Sequence, residues 1–255
     1  MTAPRGPVLA GNWKMNHGPS ETARFFADFL ALHTPSDDRT VLVFPPAISF
    51  AAAKEALQGR PDVRLGVQNV YWEASGAFTG ELSVGMAADA GAEFVLVGHS
   101  ERRHVFGETS EETARKVRAV LDGGLVPVLC VGETIDERRA DRAEAVVAEQ
   151  LTPVLEILAE AEIAKLIVAY EPVWAIGTGV TATPQDAQGM HRAVRERLAA
   201  AFGEAAAAAV PVLYGGSVKA DNAAELMSQP GVDGVLVGGA SLDAQGFSAI
   251  CRATG

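Results

Sequence analysis

Val126-Pro127-Val128-Leu129-Cys130-Val131 is an uninterrupted apolar run; after the polar Gly132-Glu133-Thr134 comes an amphipathic stretch from Asp136 to Ala159, and then a second apolar run, Leu166-Ile167-Val168-Ala169. Short runs that are apolar at every position, rather than at every other one, suit parallel strands covered on both faces. Working outward in both directions, the same unit recurs. Further candidate strands are Val8 to Ala10, Val41 to Phe44, Val63 to Val67, Phe94 to Val97, Val210 to Leu213 and Val235 to Val237, which makes eight in all. Helix candidates between them include Glu21 to Leu32, Ser110 to Leu121, Pro184 to Phe202 and Asp221 to Met227. Ser20, Thr183 with Pro184, and Asp221 read as helix starts, and Gly123-Gly124 reads as a stop. The Ala-rich patch Ala205 to Ala209 reads as the end of a helix. Eight β/α units in 255 residues, with no linker-like segment between them, predict an α/β protein of one domain spanning 1–255, a closed (β/α)8 barrel.

Composition narrows the function classes. The formal net charge of −11 sets the average surface against polyanions, so no nucleic-acid partner is expected. A few backbone amides and one lysine can still hold a phosphate in such a protein. No apolar run approaches the roughly 20 residues that cross a bilayer, and the first residues lack a signal-peptide core. Cys130 and Cys251 lack the spacing of a disulfide or zinc framework and read as free thiols. A soluble, cytoplasmic protein without a membrane partner is expected.

In a β/α barrel the reactive groups lie just past the C-terminal ends of the strands. Those positions carry Asn12 and Lys14 after the first run, His99 and Glu101 after the fourth, Glu171 after the sixth, and the Gly-Gly pairs Gly215-Gly216-Ser217 and Gly238-Gly239 after the last two. Singly, each has an ordinary explanation: a solvated or capping carboxylate, a structural histidine, a surface cation, a turn. Together they place a base, an electrophile and a cation on one rim, with glycines where barrels commonly bind phosphate. Other motifs fall away. Lys219 stands where a nucleophile elbow of the Gly-x-Ser-x-Gly type needs its last glycine. Gly177-Thr178-Gly179 lacks the third glycine of a dinucleotide fingerprint, and no P-loop is present. His99 and His104 are five apart, unlike a helical metal pair, so no metal is called for.

Five stretches, in order, resemble the triosephosphate isomerase family: Gly11-Asn12-Trp13-Lys14-Met15-Asn16, Gly76-Ala77-Phe78-Thr79-Gly80-Glu81, Gly98-His99-Ser100-Glu101-Arg102-Arg103, Tyr170 to Gly179, and Tyr214-Gly215-Gly216-Ser217-Val218. The likeness runs from about residue 8 to residue 250. It implies a TIM barrel that interconverts dihydroxyacetone phosphate and D-glyceraldehyde 3-phosphate through an enediolate, in glycolysis and gluconeogenesis, with no cofactor. Glu171 would be the base and His99 the electrophile, kept neutral in this family by a helix N-terminus. Lys14 and Asn12 would stabilise the enediolate, and Glu101 would position the site beside the lysine. Gly177, Ser217, Gly238 and Gly239 would hold the phosphate, under a mobile lid from Pro172 to Thr181. Gln68 to Glu81 is long and apolar for a connection and should bury against something; the resemblance implies a homodimer with Thr79 near the neighbour's Asn12 and Lys14. Val180 stands where the family often has a lysine at the lid's second hinge, and Val84-Gly85 and Ala220 replace frequent prolines. Two other readings remain open: another phosphosugar barrel enzyme, and a non-catalytic phosphate-binding barrel.

Overall fold

Eight parallel strands close on themselves in chain order: β1 (Val8–Asn12), β2 (Thr40–Phe44), β3 (Val63–Val67), β4 (Phe94–Val97), β5 (Val126–Val131), β6 (Ile167–Tyr170), β7 (Val212–Tyr214) and β8 (Gly234–Val237), with β8 paired back to β1. The computed structural model describes residues 6–176 and 182–253. Successive strand residues point to opposite faces, and here both faces are buried. Val8, Ala10, Leu42, Phe44, Phe94, Leu96, Val128 and Cys130 belong to an inner cluster. Their neighbours Leu9, Val41, Val43, Val95, Val97, Leu129 and Val131 pack in a second cluster with the helices. That is why the strand runs do not alternate with polar residues. At position 66 only glycine fits, because an added Cβ would lie 2.3 Å from the Phe44 ring that fills the barrel.

The helices are α1 (Pro19–Leu32), α2 (Phe50–Ala56), α3 (Val84–Ala90), α4 (Ser100–His104), α5 (Ser110–Asp122), α6 (Ile135–Arg139), α7 (Ala143–Ile157), α8 (Pro184–Phe202), α9 (Glu204–Ala208), α10 (Ala223–Met227) and α11 (Ala244–Arg252). α8 matches its expected span, with Thr183 accepting from the Asp186 amide and Pro184 at the first position. Gly123 ends α5 as read.

Several boundaries differ. α1 is capped by Gly18 instead of Ser20, and Pro19 opens it because a missing N–H costs nothing there. The stretch from Asp136 to Ala159 is two helices, parted where Asp141 takes a left-handed φ of 56°. α10 starts at Ala223 behind Asn222, not at Asp221. The Ala-rich patch forms its own short helix, α9, because Gly203 at φ 84° breaks the chain after α8. Val84-Gly85 opens α3, where the Ser83 hydroxyl accepts from the Met86 amide. Among the described residues no helix is long and apolar enough to cross a membrane.

His191, on α8, is fully buried with its Nδ1 2.9 Å from the Gly231 carbonyl. A carbonyl only accepts, so Nδ1 carries the hydrogen. Burial, aided by the Arg195 cation, lowers the His191 pKa to about 4, against a partial opposing effect of the Gly231 carbonyl. A folded pKa below the unfolded value means stability that is complete above about pH 6.5 and is lost as pH falls toward 4, roughly 3 kcal/mol in all. Urea unfolding at several pH values should show this loss in the parent and a shallower pH dependence in His191→Gln. Equal pH dependence in the two proteins would contradict it.

Candidate active site

The C-terminal ends of the strands surround a cavity of about 310 Å³. Asn12, Lys14, His99 and Glu171 line one part of it, and Gly215, Gly216, Ser217, Gly238 and Gly239 another. Five strand ends, those of β1, β4, β6, β7 and β8, spread from residue 12 to residue 239, therefore deliver their terminal groups to one space.

β1 ends in Asn12, which is 5% exposed and whose Oδ1 accepts from the Lys14 amide at 3.0 Å. Lys14 follows at a left-handed φ of 52°, which turns the chain so that Nζ reaches Glu101 Oε1 at 2.7 Å. Gln68 holds this loop from the other side, donating to the carbonyls of Lys14 at 2.8 Å and Phe44 at 2.9 Å. Glu101 thus stands beside the lysine, with its own side chain 46% exposed.

His99 is the residue before α4. Its Nδ1 accepts from the Glu101 amide at 3.3 Å, which directs the ring hydrogen of a neutral imidazole to Nε2. Nε2 lies 2.9 Å from Glu171 Oε1, and Glu171 Oε2 accepts from the Ser100 amide at 2.9 Å. Glu171 is 2% exposed. Burial opposes its ionisation, but His99, the Ser100 N–H and the Lys14 cation together outweigh burial and hold its pKa below the ordinary value. Burial likewise disfavours an imidazolium at His99, and in this arrangement the adjacent Glu171 carboxylate outweighs it and draws the pKa up. That upward pull belongs to the contact with Glu171 and would be withdrawn if the carboxylate turned toward a ligand.

The backbone at Glu171 leaves no room for neighbours. A Cβ on Gly132 would sit 1.7 Å from the Glu171 carbonyl oxygen, and one on Gly215 would sit 2.9 Å from Glu171 Cγ. Glycine at both positions lets β5, β6 and β7 converge on the carboxylate. Of the expected phosphate residues, Ser217, Gly238 and Gly239 line the cavity. Gly177 lies outside the described residues, as do Val180 and the lid beyond Ile176.

Glu133 belongs to none of the motifs that the sequence shows. It is fully buried past β5 and accepts from Tyr170 Oη at 3.0 Å, Trp174 Nε1 at 2.8 Å and Arg138 Nη1 at 3.4 Å. Its position two residues beyond a strand, inside Gly132-Glu133-Thr134, was the signal available. Arg103, donating to the carbonyls of Gly98 at 2.8 Å and Cys130 at 3.2 Å, also supports the His99 loop from behind. Cys130 is fully buried and burial pushes its thiol pKa well up, as befits a packing residue and not a nucleophile. Only the first part of the loop from Gln68 to Glu81 buries within this chain, through Val70, which is fully buried in the core. Tyr71 stacks on Trp72 at 4.0 Å and contacts Phe78 at 4.5 Å, while residues 73–81 are exposed.

Comparison with known proteins shows the family. The family described as triosephosphate isomerase matches residues 7–254. Proteins named triosephosphate isomerase from Solibacter usitatus (50% identical, 96% of this chain and 98% of the relative) and Symbiobacterium thermophilum (50%, 98% and 97%) are similar throughout. So is one from Marinobacter nauticus, 51% identical over 97% of each chain.

Proposed function

The chain belongs to the triosephosphate isomerase family, and from that premise we propose that Glu171, His99, Lys14 and Asn12 carry out its reaction, the interconversion of dihydroxyacetone phosphate and D-glyceraldehyde 3-phosphate, a step of glycolysis and gluconeogenesis. The observation that carries this reading is the meeting of Glu171, His99 and Lys14 in one cavity with the glycine turns after β7 and β8.

Glu171 takes a proton from the carbon beside the substrate carbonyl, and the bonding pair moves onto the carbonyl oxygen. Nε2–H of His99 donates to that oxygen, then recovers a proton from the neighbouring hydroxyl oxygen. Glu171 returns its proton to the other carbon. No atom is gained or lost. For this, Glu171 leaves the Ser100 amide and turns into the cavity. His99 then loses the partner that raises its pKa and works as a neutral acid, as is known for this family. The Lys14 cation opposes the enediolate charge, Asn12 holds the lysine loop, and Glu101 orients the lysine. Ser217, Gly238, Gly239 and Gly177 bind the phosphate, whose binding energy holds the reacting carbons in place.

We also assign this chain a homodimer in the cytoplasm. Met15, Ile48, Phe78 and Met86 are large, apolar and exposed, and residues 73–81 project from the barrel. A second copy that received this loop, with Thr79 near its Asn12 and Lys14, would cover them. Sedimentation should give twice the chain mass; a monomer would remove this assignment.

The assay is conversion of dihydroxyacetone phosphate to glyceraldehyde 3-phosphate by pure protein without added metal or cofactor. Absence of turnover would refute the reading.

A further inference from the structure

Two non-glycine residues of the loop after β1 have left-handed backbones: Lys14 at φ 52° and His17 at φ 63°. L residues take this region rarely, and such strain persists where the surroundings enforce it. Lys14 gains access to the cavity by it. His17 is not among the residues lining that cavity. Its Nε2 lies 3.0 Å from the Leu242 carbonyl, and since a carbonyl only accepts, that nitrogen carries the hydrogen. The ring stands edge-on to Trp13 at 4.9 Å and rests against Phe25 at 5.8 Å.

Trp13 makes the parallel contact one residue earlier in the partner segment, Nε1–H donating to the Ser241 carbonyl at 3.1 Å. Two consecutive carbonyls of the short turn Gly239–Leu242 are therefore each held by a ring N–H from the loop that carries Lys14. The other end of that turn is tied in as well. Ser241 donates through Oγ at 2.7 Å and through its amide at 2.8 Å to the Gly238 carbonyl. On the opposite side the His17 carbonyl accepts from Ser49 Oγ at 2.6 Å and Thr22 Oγ1 at 3.4 Å, so His17 is itself fixed to the scaffold.

We infer that His17 is a positioning residue: its ring N–H to Leu242, beside that of Trp13 to Ser241, locks the loop bearing Lys14 onto the turn bearing Gly238 and Gly239. The inference rests on the triose phosphate reading. A three-carbon phosphate bridges a cation at its reacting end and peptide groups at its phosphate end, so those two anchors must keep one separation. An unpinned loop draws on binding energy to be ordered, which weakens binding more than it slows the proton transfers.

The test compares His17→Leu, which keeps bulk against Trp13 and removes the donor, with His17→Gln, which restores an N–H at similar reach. His17→Leu should raise KM about fivefold with kcat within about twofold of the parent, the size expected for one lost hydrogen bond. His17→Gln should return KM to within about twofold of the parent. His17→Gly relieves the left-handed strain, so it folds readily, and should show the same rise in KM. A parental KM in His17→Leu or His17→Gly, or no recovery in His17→Gln, overturns the inference. Inorganic phosphate titrated into each protein should rank the Kd values in the same order as KM, and equal Kd values would count against the pin. Lack of isomerase activity in the parent refutes the proposed reaction instead, and the phosphate titration still decides whether His17 positions the turn.

Discussion

Glu171→Asp should lower kcat by about 10²-fold or more while leaving KM for triose phosphate nearly unchanged. The carboxylate of Glu171 reaches from the end of β6 and is held by the Ser100 amide and His99 Nε2, both at 2.9 Å. Its backbone cannot shift to compensate for a shorter side chain, because it is packed against Gly132 and Gly215 with no space for even one more carbon. Removing a methylene therefore withdraws the base by about 1 Å from any substrate carbon, a displacement that costs on the order of 10²-fold in a proton transfer. The residues proposed to hold the phosphate, Ser217, Gly238, Gly239 and Gly177, keep their own side chains and amides in this variant, so binding should change little. Steady-state kinetics in both directions check this. A loss shared equally between kcat and KM would show that Glu171 contributes binding and not proton abstraction.

Lys14→Met should reduce kcat/KM by about 10³-fold or more, in kcat through the loss of charge stabilisation and in KM through weaker attraction of an anion. The cation is 25% exposed and pairs with Glu101, so the pair itself adds less than about 1 kcal/mol to stability and the variant should remain folded. Lys14 also lowers the pKa of Glu171, and among the influences on His99 it opposes the upward pull of Glu171. With Lys14 gone, both groups bind protons more readily. The acid limb of the kcat/KM profile should move to higher pH, the sign expected when a neighbouring cation is removed from a base. Kinetics across pH together with a thermal melt test the prediction. A small loss of activity, or an acid limb that moves down, would show that Lys14 does not face the reacting groups.

The strands could be read from local pattern because burial on both faces leaves each one as a short continuous apolar run. β4 and β5 have the bounds of their runs for that reason, and β3 keeps its bounds although Arg64 interrupts its run. Helices packed on one face only were harder to place. α3 and α11 are seven and nine residues long, and their starts depend on side-chain caps at Ser83 and Asp243 that have no special sequence context. The break at Asp141 rests on one left-handed residue that carries no glycine to announce it. For the site, Asn12, Lys14, His99 and Glu171 could be named from their places past strand ends, and Glu101 from its likeness to a known pattern. Glu133 occupied an equivalent place but looked like any solvated acid, because its three donors come from Tyr170, Trp174 and Arg138, residues 5 to 41 positions away.

The sequence by itself determined the number and order of the strands, the side of the barrel that carries chemistry, and the family. These follow from hydrophobic runs and from residues near one another in the chain, whose physical effects are local. Only the tertiary structure decided that Glu171 is bonded to His99 and Ser100, that Glu133 is buried beneath Trp174, and that the rings of Trp13 and His17 are attached to Ser241 and Leu242. Those contacts join segments that only barrel closure brings together, 71 to 228 positions apart in the cases of Ser100 with Glu171 and Trp13 with Ser241. A ring N–H or a carboxylate finds such a partner through the geometry of the closed sheet, and nothing in the neighbouring residues encodes which carbonyl it will meet.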